Sequence, residues 1–243
     1  MCNETAGFRI FGMVTCVLGV LLVLPIAGCG TPDLAVEPVP AYVASPEAIW
    51  GLKRVVLVEL DSRDAPAELA RDFSQSVRLA VQSRRVFPVD FAAAGEPLDT
   101  HLAGCRGPRL TLKQLVGLRK QLRCDAVMVG SVTAFEPYPD ARLGVQIWLV
   151  DLRSGKLLWG VEHAWCVGDP ATAEKMERYF DYPGCEDSES AVRLAEMSPR
   201  GFGDFVAWDL ARSLPLPPGV AETSPRRDAG EHACDTAKNI MMN

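Results

Sequence analysis

The sequence predicts an α/β fold, a mixed sheet in the order βαβαβββ followed by carboxy-terminal helices that pack on the sheet. Three patterns carry this expectation. Residues 53–60, Lys-Arg-Val-Val-Leu-Val-Glu-Leu, form an apolar run with little alternation, as an inner strand covered on both faces would. Leu69, Phe73, Val77, Ala80 and Val81 then recur at helical spacing and make one apolar stripe. Between residues 125 and 165 the period becomes two: an apolar run surrounds Met128, Leu143, Val145, Ile147 and Leu149 alternate, and Leu157, Trp159 and Val161 alternate again. That stretch is a three-stranded meander.

The elements follow in order. Residues 1–28 have the form of an export signal: Arg9 and the amino terminus are positive, residues 10–24 are apolar apart from Thr15, and small residues follow Pro25. The junction Ile26-Ala27-Gly28-Cys29 resembles the lipobox of bacterial lipoproteins. The resemblance implies cleavage before Cys29, a diacylglyceryl group on its sulfur and a further acyl chain such as palmitate, and two chains already hold a protein in a bilayer. The competing assignment is a plain transmembrane anchor, whose length the apolar segment approaches. Gly30 stands where aspartate commonly signals inner-membrane retention, so the resemblance favours the outer membrane, facing the periplasm. Residues 29–49 form the lipidated cysteine and a proline-rich tether, in which Pro32, Pro38, Pro40 and Pro46 are expected to prevent both helix and central strand. Such a tether reaches roughly 60 Å at about 3.1 Å per residue.

The domain spans residues 50–214. After its first strand, Asp64 is placed to cap and Pro66 to open a helix. Residues 86–90, Val-Phe-Pro-Val-Asp, form a short strand that Pro88 confines to an edge, and residues 91–110 an irregular crossover. Thr111 and Gln114 form a capping box ahead of a second helix, with Leu112, Leu115, Leu118 and Leu122 facing inward. Within the meander, Ser154-Gly155 supplies the positive φ of a tight hairpin. Asp169-Pro170 opens a further helix ending at the aromatic cluster Tyr179, Phe180 and Tyr182, which serves either as a partner-binding surface or as a staple between helix and sheet. Helices follow at residues 189–197 and from Ser198-Pro199 to residue 214, the last with Phe202, Phe205, Val206, Trp208 and Leu210 against the sheet. Residues 215–243 lack periodicity and are expected to be a disordered tail.

Composition excludes several function classes. The net charge is −6 and no run of Lys or Arg forms a basic stripe, so no nucleic acid is expected as a partner. The three histidines, His101, His163 and His232, are widely spaced, and no metal site or cofactor is expected. There is no G-x-S-x-G elbow, phosphate-binding or dinucleotide-binding glycine loop, or H-E-x-x-H. His163 shares the parity of Trp159 and Trp165, as a sheet histidine does, and Glu186-Asp187 fits a solvated turn. Of the cysteines beyond the signal and Cys29, Cys105 with Cys124 and Cys166 with Cys185 are expected to be bridged, leaving Cys234 alone. Each bridge would contribute about 3 kcal/mol in the chain-entropy model. Buried free thiols and a four-thiolate zinc site are the alternatives.

The motifs Cys124-Asp-Ala-Val-Met-Val-Gly-Ser131, residues 145–150, and Asp151-Leu-Arg-Ser-Gly-Lys-Leu-Leu-Trp159 are similar to the closing strands of the curli-secretion lipoprotein family, its penicillin-binding-protein-activator relatives and the TolB amino-terminal domain. The similarity covers residues 53–165 and implies a scaffold. With the lipobox it implies a non-catalytic binding or assembly module for another cell-envelope protein, held to the lipid bilayer through Cys29, with homo-oligomers left open. A secretion-pore subunit is the first alternative, but the paired amphipathic hairpins that build a membrane barrel are missing beyond the meander. An envelope enzyme with a dispersed site is the second.

Overall fold

The computed structural model describes residues 37–62, 65–95, 107–180 and 198–220. The signal, Cys29, Asp64, Cys105, Tyr182, Cys185, Glu186, Asp187, the 189–197 helix, Cys234 and most of the tail lie outside the described residues. The chain divides at Val36 into two compact units, and the elements below belong to the second.

Hydrophobic pattern and crossover geometry together build a seven-stranded mixed sheet. Its strands are β1 (Tyr42–Val43), β2 (Val55–Val58), β3 (Asp61–Ser62), β4 (Val89–Ala92), β5 (Ala126–Glu136), β6 (Arg142–Asp151) and β7 (Leu157–Cys166). The helices are α1 (Pro46–Trp50), α2 (Ala67–Ser83), α3 (Leu112–Leu122), α4 (Pro170–Phe180) and α5 (Pro199–Arg212). The sheet order is β1-β7-β6-β5-β2-β4, with β3 beside β5. β2 is inner and wholly buried, parallel to both β4 and β5, and β5-β6-β7 is the antiparallel meander. The α/β class, the mixed sheet and the packing of helices on it therefore stand as the patterns required.

From β2 the chain crosses through α2 to β4, then returns past β2 through α3 to β5. Two crossovers of one hand in opposite directions put their helices on opposite faces. Accordingly Phe73, Val77 and Val81 of α2 join a large core with Leu57, Met128, Ile147, Trp159 and the apolar side of α5, whereas Leu118 of α3 sits in a smaller one with Val56, Val127, Val129 and Val150.

Several expectations need correction. Residues 30–49 were expected to hold neither helix nor central strand, yet α1 forms at their end, and β1 ahead of it pairs antiparallel with β7 as an edge strand. Pro46 is tolerated because it occupies the first turn, where its missing N–H has no partner to lose, and Ser45 caps that turn by accepting from Ala48 N at 3.3 Å. Val39 and Ile49 are core residues, 1% and 0% exposed. The start of the expected tail also belongs to the fold: Trp50 Nε1 donates to the Pro215 carbonyl at 3.0 Å, and Leu216 packs on the core. Pro66 is the cap of α2 rather than its first residue, its carbonyl accepting from Ala70 N. The strand expected at residues 86–90 starts at Val89, at the sheet edge as Pro88 requires. Leu112 is 77% exposed instead of inward, since six residues at 3.6 per turn rotate it about 240° from buried Leu118.

Candidate functional site

One half of the sheet's second face is covered by α3. The other half, over β6, β7 and β1, carries no helix among the described residues. Strand parity decides what appears there. Leu143, Val145, Ile147 and Leu149 of β6 point to the large core, so Gln146 and Trp148 point away from it; on β7, Trp159, Val161 and Trp165 are buried while Glu162 and Ala164 are exposed.

Trp148 stands directly opposite Gly160, and Gly160 is opposite Tyr42 on β1, so the three lie in one row across the sheet. Gly160 is needed because any Cβ there would stand 2.9 Å from Trp148 Cδ1. The indole therefore lies against the backbone of β7, and Tyr42, 55% exposed, flanks it. Pro40, Ala41, Leu157, Val161 and Glu162 complete an open groove of about 480 Å³. Pro40 has no N–H to extend the β1 ladder toward Glu162. Gln146 Nε2 donates to Glu162 Oε1 at 2.8 Å and fixes that carboxylate at the groove's polar end.

A polar cluster occupies the opposite, helix-covered face. Asp209 on α5 is fully buried, and its Oδ2 accepts from Trp165 Nε1 at 2.9 Å and from Lys175 Nζ at 3.0 Å. His163 meets Trp165 edge-to-face with ring centroids 4.7 Å apart. Burial and then the nearby Lys175 ammonium lower the imidazole's proton affinity, against the opposing pull of Asp209 and Asp169. These groups tie α4 and α5 to β7, and they sit under helices rather than in an opening. Among the described residues no group of three or more His, Cys, Asp or Glu side chains is placed to hold a metal ion.

The residues singled out from sequence fare unevenly. Tyr179 and Phe180 are not a surface: Phe180 is 7% exposed, and Tyr179 packs edge-to-face on Phe180 and Phe205 and beside Trp208. Burial, aided by the Asp204 carboxylate, pushes the Tyr179 phenol pKa up. The helix turns this side to α5, so these rings pack helix on helix, while Tyr182 lies outside the described residues. Cys124 and Cys166 stand as free thiols, and the partners expected for them, Cys105 and Cys185, lie outside the described residues. Cys124 is buried in the smaller core beneath α3, where loss of solvent raises its pKa to about 11. Tyr42 and Trp148 went unremarked in the sequence, although Trp148 has the parity opposite to its apolar neighbours in β6, and that parity was the available signal.

No family model matches the chain and no curated protein matches it. Among solved structures the chain is similar to the PelC dodecamer from Paraburkholderia phytofirmans, with a TM-score of 0.39, 13% identity, and 56% of this chain and 86% of that one covered. It is also similar to a lipoprotein from Neisseria meningitidis, with a TM-score of 0.33, 16% identity and coverage of 46% and 79%. The LpoB C-terminal domain from Escherichia coli gives 0.30, 16%, 49% and 91% in the same order. Likenesses of this extent assign neither a family nor a function to the chain.

Proposed function

We propose that the chain is a lipid-anchored lipoprotein of the cell envelope, attached through Cys29 to the outer membrane and facing the periplasm, whose α/β domain is a non-catalytic binding or assembly module for another envelope protein. The observation that carries the binding role is the half-sheet that no described helix covers, where Trp148, at the rim of the smaller core, and Tyr42 stand in one strand row beside a groove. Aromatic side chains fixed on a scaffold lose little entropy on contact and are the usual anchors of interfaces. The anchor is supported by the lipobox and the apolar segment before it.

Two measurements in cells test this. A radioactive fatty acid should label the wild-type chain and not Cys29→Ser; label persisting on the variant would sink the anchor. A photo-crosslinking amino acid in place of Tyr42 should capture one envelope protein, and the same probe in place of Leu112, still more exposed on α3, should not. Equal capture from both positions would remove the case for the open half-sheet.

A further inference from the structure

The groove on the open half-sheet has a particular chemical character. Its lining is apolar or aromatic at every position except Glu162, and this carboxylate is the one ionised group there. Gln146 engages only Oε1, so Oε2 has no hydrogen-bond partner among the described residues and faces the opening. Trp148, partly buried against the smaller core, lines the groove beside Gly160, with Tyr42 beyond it in the same row. A negative charge at the end of an aromatic floor matches a long side chain with an apolar stem and a cationic head. The planar guanidinium stacks on an indole and donates in a fork to a carboxylate, which an ammonium cannot do.

We propose that this groove seats an arginine side chain presented by the partner protein, with the guanidinium stacked over Trp148 beside Tyr42 and paired with Glu162. This rests on the binding-module role and names its partner's chemistry. Leu157 and Pro40 line the groove where the aliphatic stem would lie, and Glu162 is exposed on β7, so its carboxylate is accessible. The residue's fit is to shape and charge together, so both must be lost separately in a test.

The test uses the full-length lipoprotein in a neutral detergent. The probe is an acetylated, amidated pentapeptide with arginine at its centre and glycine or alanine elsewhere, compared with the same peptide carrying citrulline, which keeps the shape and loses the charge. The arginine peptide should change tryptophan emission saturably, and Trp148→Phe, which leaves the other four of the five tryptophans, should remove that change. Glu162→Gln should weaken binding about tenfold or more, as should about 1 M salt, where screening lengths fall to about 3 Å. Glu162 is exposed, and unchanged near-ultraviolet circular dichroism of Glu162→Gln excludes misfolding as the cause. Equal binding of arginine and citrulline peptides, undiminished binding by Glu162→Gln, or no saturable binding at all would each overturn the proposal. A partner still captured in cells from position 42 of Glu162→Gln as well as from wild type would overturn the arginine assignment while leaving the binding module standing. Loss of capture in both would bring down the module itself.

Discussion

Asp209 has no exposed surface, and its charge is met by Trp165 Nε1 and by Lys175, whose side chain is 15% exposed. Removing one member of such a pair strands the other in a poorly solvated place. Lys175→Met should lower unfolding free energy by about 3 kcal/mol or more in urea titration, and Leu112→Ala, at an exposed site, by less than about 0.5 kcal/mol. A null effect of Lys175→Met would mean that Asp209 takes its compensation elsewhere. His163 beside this cluster yields a pH prediction. Its pKa in the folded state is lowered from 6.5, so the unfolded chain binds the proton more readily, and stability is lost as pH falls through that value. His163→Phe should flatten the loss of stability on the acid side of about pH 6.5, and an unchanged profile would clear this residue. The thiol of Cys124, with its pKa raised to about 11, should resist iodoacetamide in the native protein at neutral pH and react once the chain is unfolded. His163 and Trp165 drew notice in the sequence by parity, Leu112 by helical spacing and Cys124 as a cysteine expected to be bridged, whereas Asp209 and Lys175 drew none. No local pattern announces that Asp209 on α5 accepts from both Lys175 on α4 and Trp165 on β7.

At the scale of elements, local chemistry written in sequence is what formed most precisely where it was expected. Thr111 Oγ1 accepts from Gln114 N at 3.3 Å and Gln114 Oε1 accepts from Thr111 N at 2.7 Å, so the capping box of α3 is complete. Thr111→Ala should destabilise by about 1 kcal/mol, read from the denaturation midpoint at constant slope. The hairpin between β6 and β7 turns at Gly155, whose φ is 69°, while Asp151 accepts from the amides of Arg153 and Ser154. An alanine there would take a left-handed backbone conformation and would press its Cβ to within 2.9 Å of Leu115 Cδ1, linking turn to α3. Such contacts are invisible in a one-dimensional pattern, as is the rotation that leaves Leu112 outside. Proline was the misleading signal. Pro38, Pro40 and Pro46 suggested a tether because proline stops interior helices and central strands, but an edge strand and a helix's first turn accept it.

For the whole molecule, residues 37–50 and 215–216 close the fold from its two ends. Val39 and Ile49 fill the large core, and Trp159 Nε1 donates to Ser213 Oγ at 3.1 Å where α5 ends. A chain lacking residues 37–50 should therefore lose its cooperative thermal transition or shift it sharply down, whereas removing residues 221–243 should leave it within a degree or two; an intact transition without residues 37–50 would make that segment dispensable after all. Periodicity, the capping box of α3 and turn conformation act over a few residues, and they carried the α/β class, the inner strand and the meander. The sequence by itself also determined which faces of β6 and β7 oppose each other, since strand parity is local. Long-range packing settled which face of the sheet each helix covers, that Tyr179 and Phe180 turn inward against α5, and that Tyr42, Trp148 and Gly160 align in a groove that no described helix covers. Those outcomes depend on crossover direction and on contacts between separate elements, Tyr42 and Gly160 among them, where the burial of a whole core, rather than any local preference, selects the arrangement.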